Sequence, residues 1–171
     1  DRLYQNIFLG GTKTYTEQSL NGTAGYDGSP VSLEEYVEEV TALGNGDVEM
    51  FEKVNQPVFI NGNAYLKGAP AFAREEDNYL SEGDPQVKIS VEGDSVYLEM
   101  NVEKDMLSIP TEIIDTEKLG MVRLVEAPFD DPDGNPIVLD KDYLGKTRKA
   151  GSPAGPLEEL KEGFNRVKVW G

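Results

Sequence analysis

The chain has no cysteine and no histidine among its 171 residues, and a single tryptophan. Without cysteine no disulfide can staple a small core, which argues against the disulfide-rich secreted modules of eukaryotes and fits a bacterial protein, exported or cytosolic. Without histidine the commonest general base is missing, as are the usual zinc and copper ligand and every Ser-His or Cys-His nucleophile pair. Chemistry here has to rest on carboxylates, lysine, tyrosine or a hard metal. No run approaches the roughly 18 apolar residues of a membrane span. The opening Asp1-Arg2-Leu3-Tyr4 has no initiator Met, basic stretch or signal-like segment. It reads as the start of a strand, in a domain cut from a longer polypeptide or at a processed terminus.

Positive charge is also scarce. Sixteen Lys and Arg stand against thirty-two Asp and Glu, for a formal net charge of −16 at pH 7. Such a field repels phosphate backbones and anionic lipid, so neither nucleic acid nor membrane is an expected partner. Polyanionic glycans are disfavoured too, unless a local basic cleft or calcium intervenes. Neutral glycans, cations and basic proteins remain open.

What is present is a short internal repeat. Asn6-Ile7-Phe8-Leu9-Gly10-Gly11 aligns with Asn63-Ala64-Tyr65-Leu66-Lys67-Gly68, sharing Asn, an aromatic, Leu and Gly at the same offsets. Each follows a strand-like run. Stacked coils of a β-solenoid need such a pattern: an inward Asn bonds the next coil's backbone, aromatics stack, and Gly permits the corner. The competing reading is coincidence between two hairpin strands. The 57 residues separating the two asparagines exceed the about 20–45 of an ordinary repeat, so an insertion is implied. The sequence supplies one: a helix over 32–43, capped by Ser32 with Glu35 at the capping-box position, Val31 stapled onto Tyr36 and Gly44 as the stop. Leu33, Tyr36, Val37, Val40 and Leu43 form its apolar face, and its glutamates a solvated one.

Beyond residue 85 the period becomes two. Val87, Ile89 and Val91, then Val96, Leu98, Met100 and Val102, alternate with polar residues around Glu92-Gly93-Asp94, which predicts a hairpin with one buried face. Further strands are expected over 112–114, 121–125, 137–139 and 166–170, and a short helix over 156–161.

Candidate sites are few. Asp130 to Asn135 has the look of a calcium loop, with Asp131, Asp133 and Asp140 as possible ligands. With Gly134 at the sixth position of an EF-type loop, however, Phe129 falls at the first and cannot ligate, which favours a turn built on Asp133-Gly134. Thirty-two acids make some pair at glycosidase spacing inevitable, so none is singled out as catalytic. Tyr15, Tyr26 and Trp170 are the candidate carbohydrate contacts, weighed against a role as packing anchors. The parity of Trp170 with the polar residues of its strand predicts partial exposure. Asn21-Gly22-Thr23 matches a glycosylation sequon, which bacterial origin would make irrelevant.

Several stretches together carry a resemblance: Asp1 to Phe8, Pro57 to Tyr65, Asp133-Gly134-Asn135-Pro136, Asp142-Tyr143-Leu144-Gly145-Lys146-Thr147-Arg148, Gly155-Pro156-Leu157-Glu158 and Val167-Lys168-Val169-Trp170. They resemble the C-terminal portion of right-handed parallel β-helix glycoside hydrolases of the β-xylosidase type, in which a β-sandwich accompanies the helix. The resemblance implies an oligo- or polysaccharide-degrading parent, with catalytic acids on coils upstream of Asp1 and none carried over here.

The expected fold is therefore all-β: one or two terminal β-helix coils with the helical insertion over 1–84, and a β-sandwich-like region over 85–171, possible as one compact unit. The expected role is a non-catalytic capping domain whose partner is the upstream catalytic β-helix of the same polypeptide, with a secreted or periplasmic setting favoured over a cytoplasmic one. A stand-alone carbohydrate-binding module and a small carboxylate-dependent glycosidase are the alternatives. Calcium is the one cofactor left open.

Overall fold

The computed structural model describes residues 1–11, 22–44, 53–122 and 127–171. These residues are mostly β, in small sheets with short helices. Near the N-terminus, strands β1 (Arg2–Tyr4) and β2 (Ile7–Leu9) meet at a corner formed by Gln5 and Asn6. After the helix α1 (Leu33–Leu43), strands β3 (Phe59–Asn61) and β4 (Asn63–Leu66) meet at Gly62. β1 pairs with β3 in parallel, Leu3 beside Ile60, and β2 pairs with β4 in parallel, Phe8 beside Tyr65. A fifth strand, β5 (Asn78–Leu80), continues the second sheet on the far side of β4. The repeat read from the sequence is thus a true lateral register. Its corners match as well: Gln5 and Gly62 occupy equivalent positions and both have left-handed backbone, φ 57° and 73°. Glycine adopts that conformation without steric cost, whereas Gln5 is held there by its neighbours.

The predicted hairpin is present as β6 (Lys88–Glu92) and β7 (Ser95–Val102), closed by Gly93-Asp94. Strand β12 (Gly163–Trp170) pairs antiparallel on the other side of β7. Met100 and Val102 join Ala64, Leu66, Met106, Ile109, Ala154, Leu157 and Leu160 in one buried cluster, so the core joins residues from both sides of position 84. The hairpin differs from expectation on β6. Ile89 and Val91 are 59% and 70% exposed, and Val87 is also exposed. Alternation places these side chains on the face of Leu98 and Val96, but that end of the sheet extends beyond the core. Trp170 lies at the same end. The register slips between Lys168 and Trp170, setting Trp170 opposite Val96, so strand parity fails at the bulge although the side chain is 67% exposed.

The remaining elements are short. β8 (Ile114–Asp115) pairs with β11 (Val138–Leu139), and β9 (Met121–Val122) with β10 (Ala127–Pro128); a one-turn helix α2 (Thr116–Leu119) follows β8. Helix α1 starts as expected, with Ser32 Oγ accepting from the Glu35 N–H at 3.1 Å, and Gly44 ends it. Its Glu35 carboxylate accepts from the Val31 N–H, one residue before the usual capping-box position. Tyr36 is buried, but Leu33, Val37 and Val31 are exposed, so the apolar face is only partly covered and no staple closes over Tyr36. Residues 156–161 form turns and not the predicted helix. The cause is visible: Leu157 and Leu160 both enter the core, while the Glu158 N–H donates to Asp142 Oδ2 at 2.9 Å and the Lys161 N–H to Asn165 Oδ1 at 2.9 Å. The Lys161 N–H is thereby diverted from a helical ladder.

Met106 is fully buried and Val91 is 70% exposed. Met106→Ala should therefore cost about 2–5 kcal/mol in urea unfolding, and Val91→Ala no more than about 0.5 kcal/mol. Similar losses at the two sites would contradict this placement of the core.

Candidate functional site

The parallel strands are bound together by a line of side-chain hydrogen bonds through partly buried Asn6 and buried Asn63 and Glu75. Asn63 is fully inaccessible to solvent. Its Oδ1 accepts from the Asn6 N–H at 2.8 Å and from Asn6 Nδ2 at 3.1 Å. Its own N–H and Nδ2 donate to Glu75 Oε1 at 2.9 and 2.8 Å, and Nδ2 also reaches Leu3 O at 3.0 Å. The pattern repeats from one strand to the next: an Asn sends its main-chain and side-chain hydrogens to one oxygen of the following residue in the line. Glu75 ends the line with a carboxylate where the preceding step has a carboxamide. The corner beside it is braced by Asn61, whose Nδ2 donates to Asp77 Oδ2 at 2.9 Å while its Oδ1 accepts from the Asp77 N–H at 3.0 Å.

An aromatic row runs alongside. The Phe8 and Tyr65 rings stack with centroids 5.1 Å apart and planes 12° apart. The Tyr65 hydroxyl donates to Glu75 Oε2 at 2.5 Å and lies 2.6 Å from Thr23 Oγ1, which accepts from the Phe72 N–H at 2.8 Å. Burial and the hydrogen bond to the Glu75 carboxylate push the Tyr65 phenol well above its ordinary range. Glu75, 8% exposed, is therefore a buried carboxylate with both oxygens satisfied.

The acidic loop at 130–135 is a turn. Asp131 Oδ1 accepts from the N–H groups of Asp133 and Asn135 at 2.9 and 2.8 Å, and Gly134 takes φ 80°. The Asn135 N–H is the chief cause holding the Asp131 carboxyl below its usual range. Eleven residues on, the same turn recurs: Asp142 Oδ1 accepts from Leu144 and Lys146 N–H groups, each at 2.8 Å, and Gly145 again takes φ 80°. Sequence reasoning had both segments but not their equivalence, whose signal is the shared Asp-x-x-Gly spacing. Asp131, Asp133 and Asp140 are not brought together as a ligand set, and no group of three or more such side chains able to hold a metal occurs among the described residues. Asp131 turns to its own loop, and Asp140 offers its carbonyl to the Arg148 N–H at 2.8 Å.

Arg148 entered the sequence reading only as the end of the 142–148 stretch, with no role assigned to it. Buried, it donates to Gly155 O at 2.7 Å, Pro153 O at 2.5 Å and Gln5 Oε1 at 3.2 Å, tying the C-terminal loops to the first corner. The candidate sugar contacts sit apart in the fold. Tyr26 ends a 3-10 turn and donates to Asp1 Oδ2 at 2.9 Å, while Trp170 ends β12. Tyr15 lies outside the described residues. Two shallow clefts flank Tyr4: one of about 340 Å³ whose lining includes Arg2, Lys141, Asp142 and Tyr143, and one of about 470 Å³ with Phe59, Arg74, Glu76 and Lys118. Among the described residues each lining holds one carboxylate, and that of Asp142 already accepts three backbone N–H groups. Glycoside hydrolysis by two carboxyl groups needs a facing pair; a third cleft, of about 380 Å³, does hold two, Asp142 and Glu159, with Glu159 paired to Lys146.

No protein-family model and no curated protein matches the chain. A solved structure does: that of XylC in complex with xylose, with a TM-score of 0.83 and 43% identity over 99% of this chain. The match covers 26% of the XylC chain. This chain is similar to a part of XylC. It spans about a quarter of that protein's length.

Two outcomes test the site's geometry. Asn63→Leu leaves the Asn6 N–H and Leu3 O without their side-chain partner and removes one of the three hydrogens that Glu75 accepts, so a loss of roughly 2 kcal/mol or more is expected in urea unfolding; a change below about 1 kcal/mol would contradict the line of bonds. For Asp142, burial opposes the charged form, but the N–H groups of Glu158, Lys146 and Leu144 outweigh it and hold the carboxyl below its usual value. The stability this supplies is present above the ordinary Asp value of about 3.9 and is lost as pH falls through the lower folded value. Asp142→Asn should flatten that acid limb in pH-dependent thermal melts, and an unchanged limb would count against the assignment.

Proposed function

We propose that this chain is the non-catalytic end piece of a larger bacterial glycoside hydrolase, closing a stack of parallel β-helix coils with the antiparallel sheet packed beside it. The observation that carries this reading is the in-register parallel pairing of β1 with β3 and β2 with β4 in a chain that is 43% identical to a quarter of XylC. A coil stack exposes strand edges and apolar surface at its end, and a capping element is the physical remedy. The xylose complex of XylC makes β-xylosides the substrate class of choice for the whole polypeptide. The reacting carboxylates then belong to coils outside this chain, and its own contribution is mechanical: it holds the last coil closed and supplies one wall of the substrate cleft.

A second reading, a carbohydrate-binding module, draws on one specific observation: the exposed Trp170, across β7 from exposed Ile89 and Val91 at the open end of the sheet. The two are separated by two measurements on the 171-residue chain. Aryl β-xyloside should be hydrolysed no faster than in a blank, and turnover that persists through repurification would overturn the non-catalytic reading. Calorimetric titration with soluble xylan should give no heat of binding; saturable heat abolished by Trp170→Ala would establish the binding module instead.

A further inference from the structure

The line of amides has two different ends. At one, Glu75 receives the main-chain hydrogen and one side-chain hydrogen of Asn63 on a single oxygen. A carboxylate has no hydrogen to pass on, so the line stops there. At the other end, Asn6 gives both hydrogens to Asn63 Oδ1, but its own Oδ1 accepts nothing among the described residues. Its remaining amide hydrogen bonds Tyr4 O at 3.1 Å, within its own coil, where the equivalent hydrogen of Asn63 crosses to Leu3 O of the neighbouring one. β1 and β2 are also edge strands among the described residues. Phe8 is stacked on one face by Tyr65 and only partly buried.

We infer that Asn6 is the docking socket for an asparagine of a further coil of the same polypeptide, which pairs in parallel with β1 and β2 and sends its main-chain and side-chain hydrogens to Asn6 Oδ1. This rests on the proposed role of the chain as the end of a coil stack, and it names the chemistry of the joint. The occupant has Asn in register with Asn6 and Asn63, and an aromatic two residues later that lies on Phe8. Three features select it. The interface between β1–β2 and β3–β4 already shows the geometry once, and the new joint continues it. The socket accepts two hydrogens from one residue, which an asparagine provides and an aliphatic or acidic residue does not. The XylC chain extends well beyond the quarter matched here, which leaves polypeptide to supply the coil. A second copy of this chain fits poorly, because a two-fold contact would set one Asn6 oxygen against its own equivalent.

The test uses the longer polypeptide that carries this chain. Its crystal structure should place an Asn main-chain N–H and Nδ2 within hydrogen-bond distance of Asn6 Oδ1. Hydrogen exchange over residues 2–9 should be slower there than in the 171-residue chain, and Asn6→Leu, which breaks the Nδ2 bonds in both, should speed it about tenfold more in the longer polypeptide, the loss of one further hydrogen bond of ordinary strength. A parallel strand carrying another residue at that position overturns the inference and leaves the proposed function standing. Asn6 in solvent, or against a second copy, overturns both. Xyloside turnover by the isolated chain would remove the proposed function alone.

Discussion

The carboxylate of Glu75 is largely shielded from solvent, and both of its oxygens accept hydrogen bonds from its neighbours. A buried carboxylate without partners is untenable by several kcal/mol. Here Asn63 gives it two hydrogens and Tyr65 one, and Asn63 in turn holds Asn6 and Leu3. Satisfying one charge thus fixes the spacing of adjacent strands, the orientation of the Tyr65 ring and, through Thr23 and Phe72, the path of the loop that crosses above it. Parallel pairs of three or four residues make few ladder bonds by themselves. The side-chain line supplies the register those short strands lack.

The rest of the molecule is tied to this line at its corners. Arg148 reaches from the C-terminal loops to Gln5, and the Gly155 N–H donates to Gln5 O at 2.7 Å, so the left-handed corner at Gln5 is held from outside. The Asp142 turn presents its second oxygen to Glu158, which draws Leu157 and Leu160 into the core under β4 and β7. The antiparallel sheet is therefore anchored at its Met100–Val102 end and free at its Ile89, Val91 and Trp170 end. On the far face, Arg166 lies 3.7 Å from the Tyr97 ring centroid and pairs with Glu99 at 3.0 Å, so that surface is charged and solvated.

Sequence pattern reached some of this and missed the rest for identifiable reasons. The parallel strands around Asn6 and Asn63 were legible because the same residue types recur at the same offsets, and helix α1 because Ser32 and Gly44 bound it. Period two located β6 and β7 but told only which side chains share a face; whether anything covers Ile89 and Val91 depends on how far the core extends. Glu75 was invisible because it matches Asn by its acceptor oxygen and not by residue type, and because Asn78 occupies the strand position beside Asn63. Trp170 was placed by parity, which a one-residue bulge resets. The acidic loop admitted both a turn, the favoured reading, and a calcium loop because Asp and Gly serve both; its Asp131 accepts from its own backbone as Asp142 does in the twin turn. Of the candidate site, the framework was readable, and the residues that lock it were not.

The central claim is that this line of hydrogen bonds, and not the short strands alone, holds the parallel strands together. Native-state hydrogen exchange of the Asn6 and Asn63 amides tests it most directly, since both donate to side-chain oxygens within the line. The account predicts that both exchange only through the global unfolding that also frees the β7 amides. Exchange of either through local opening, at a free energy well below that of β7, would contradict it.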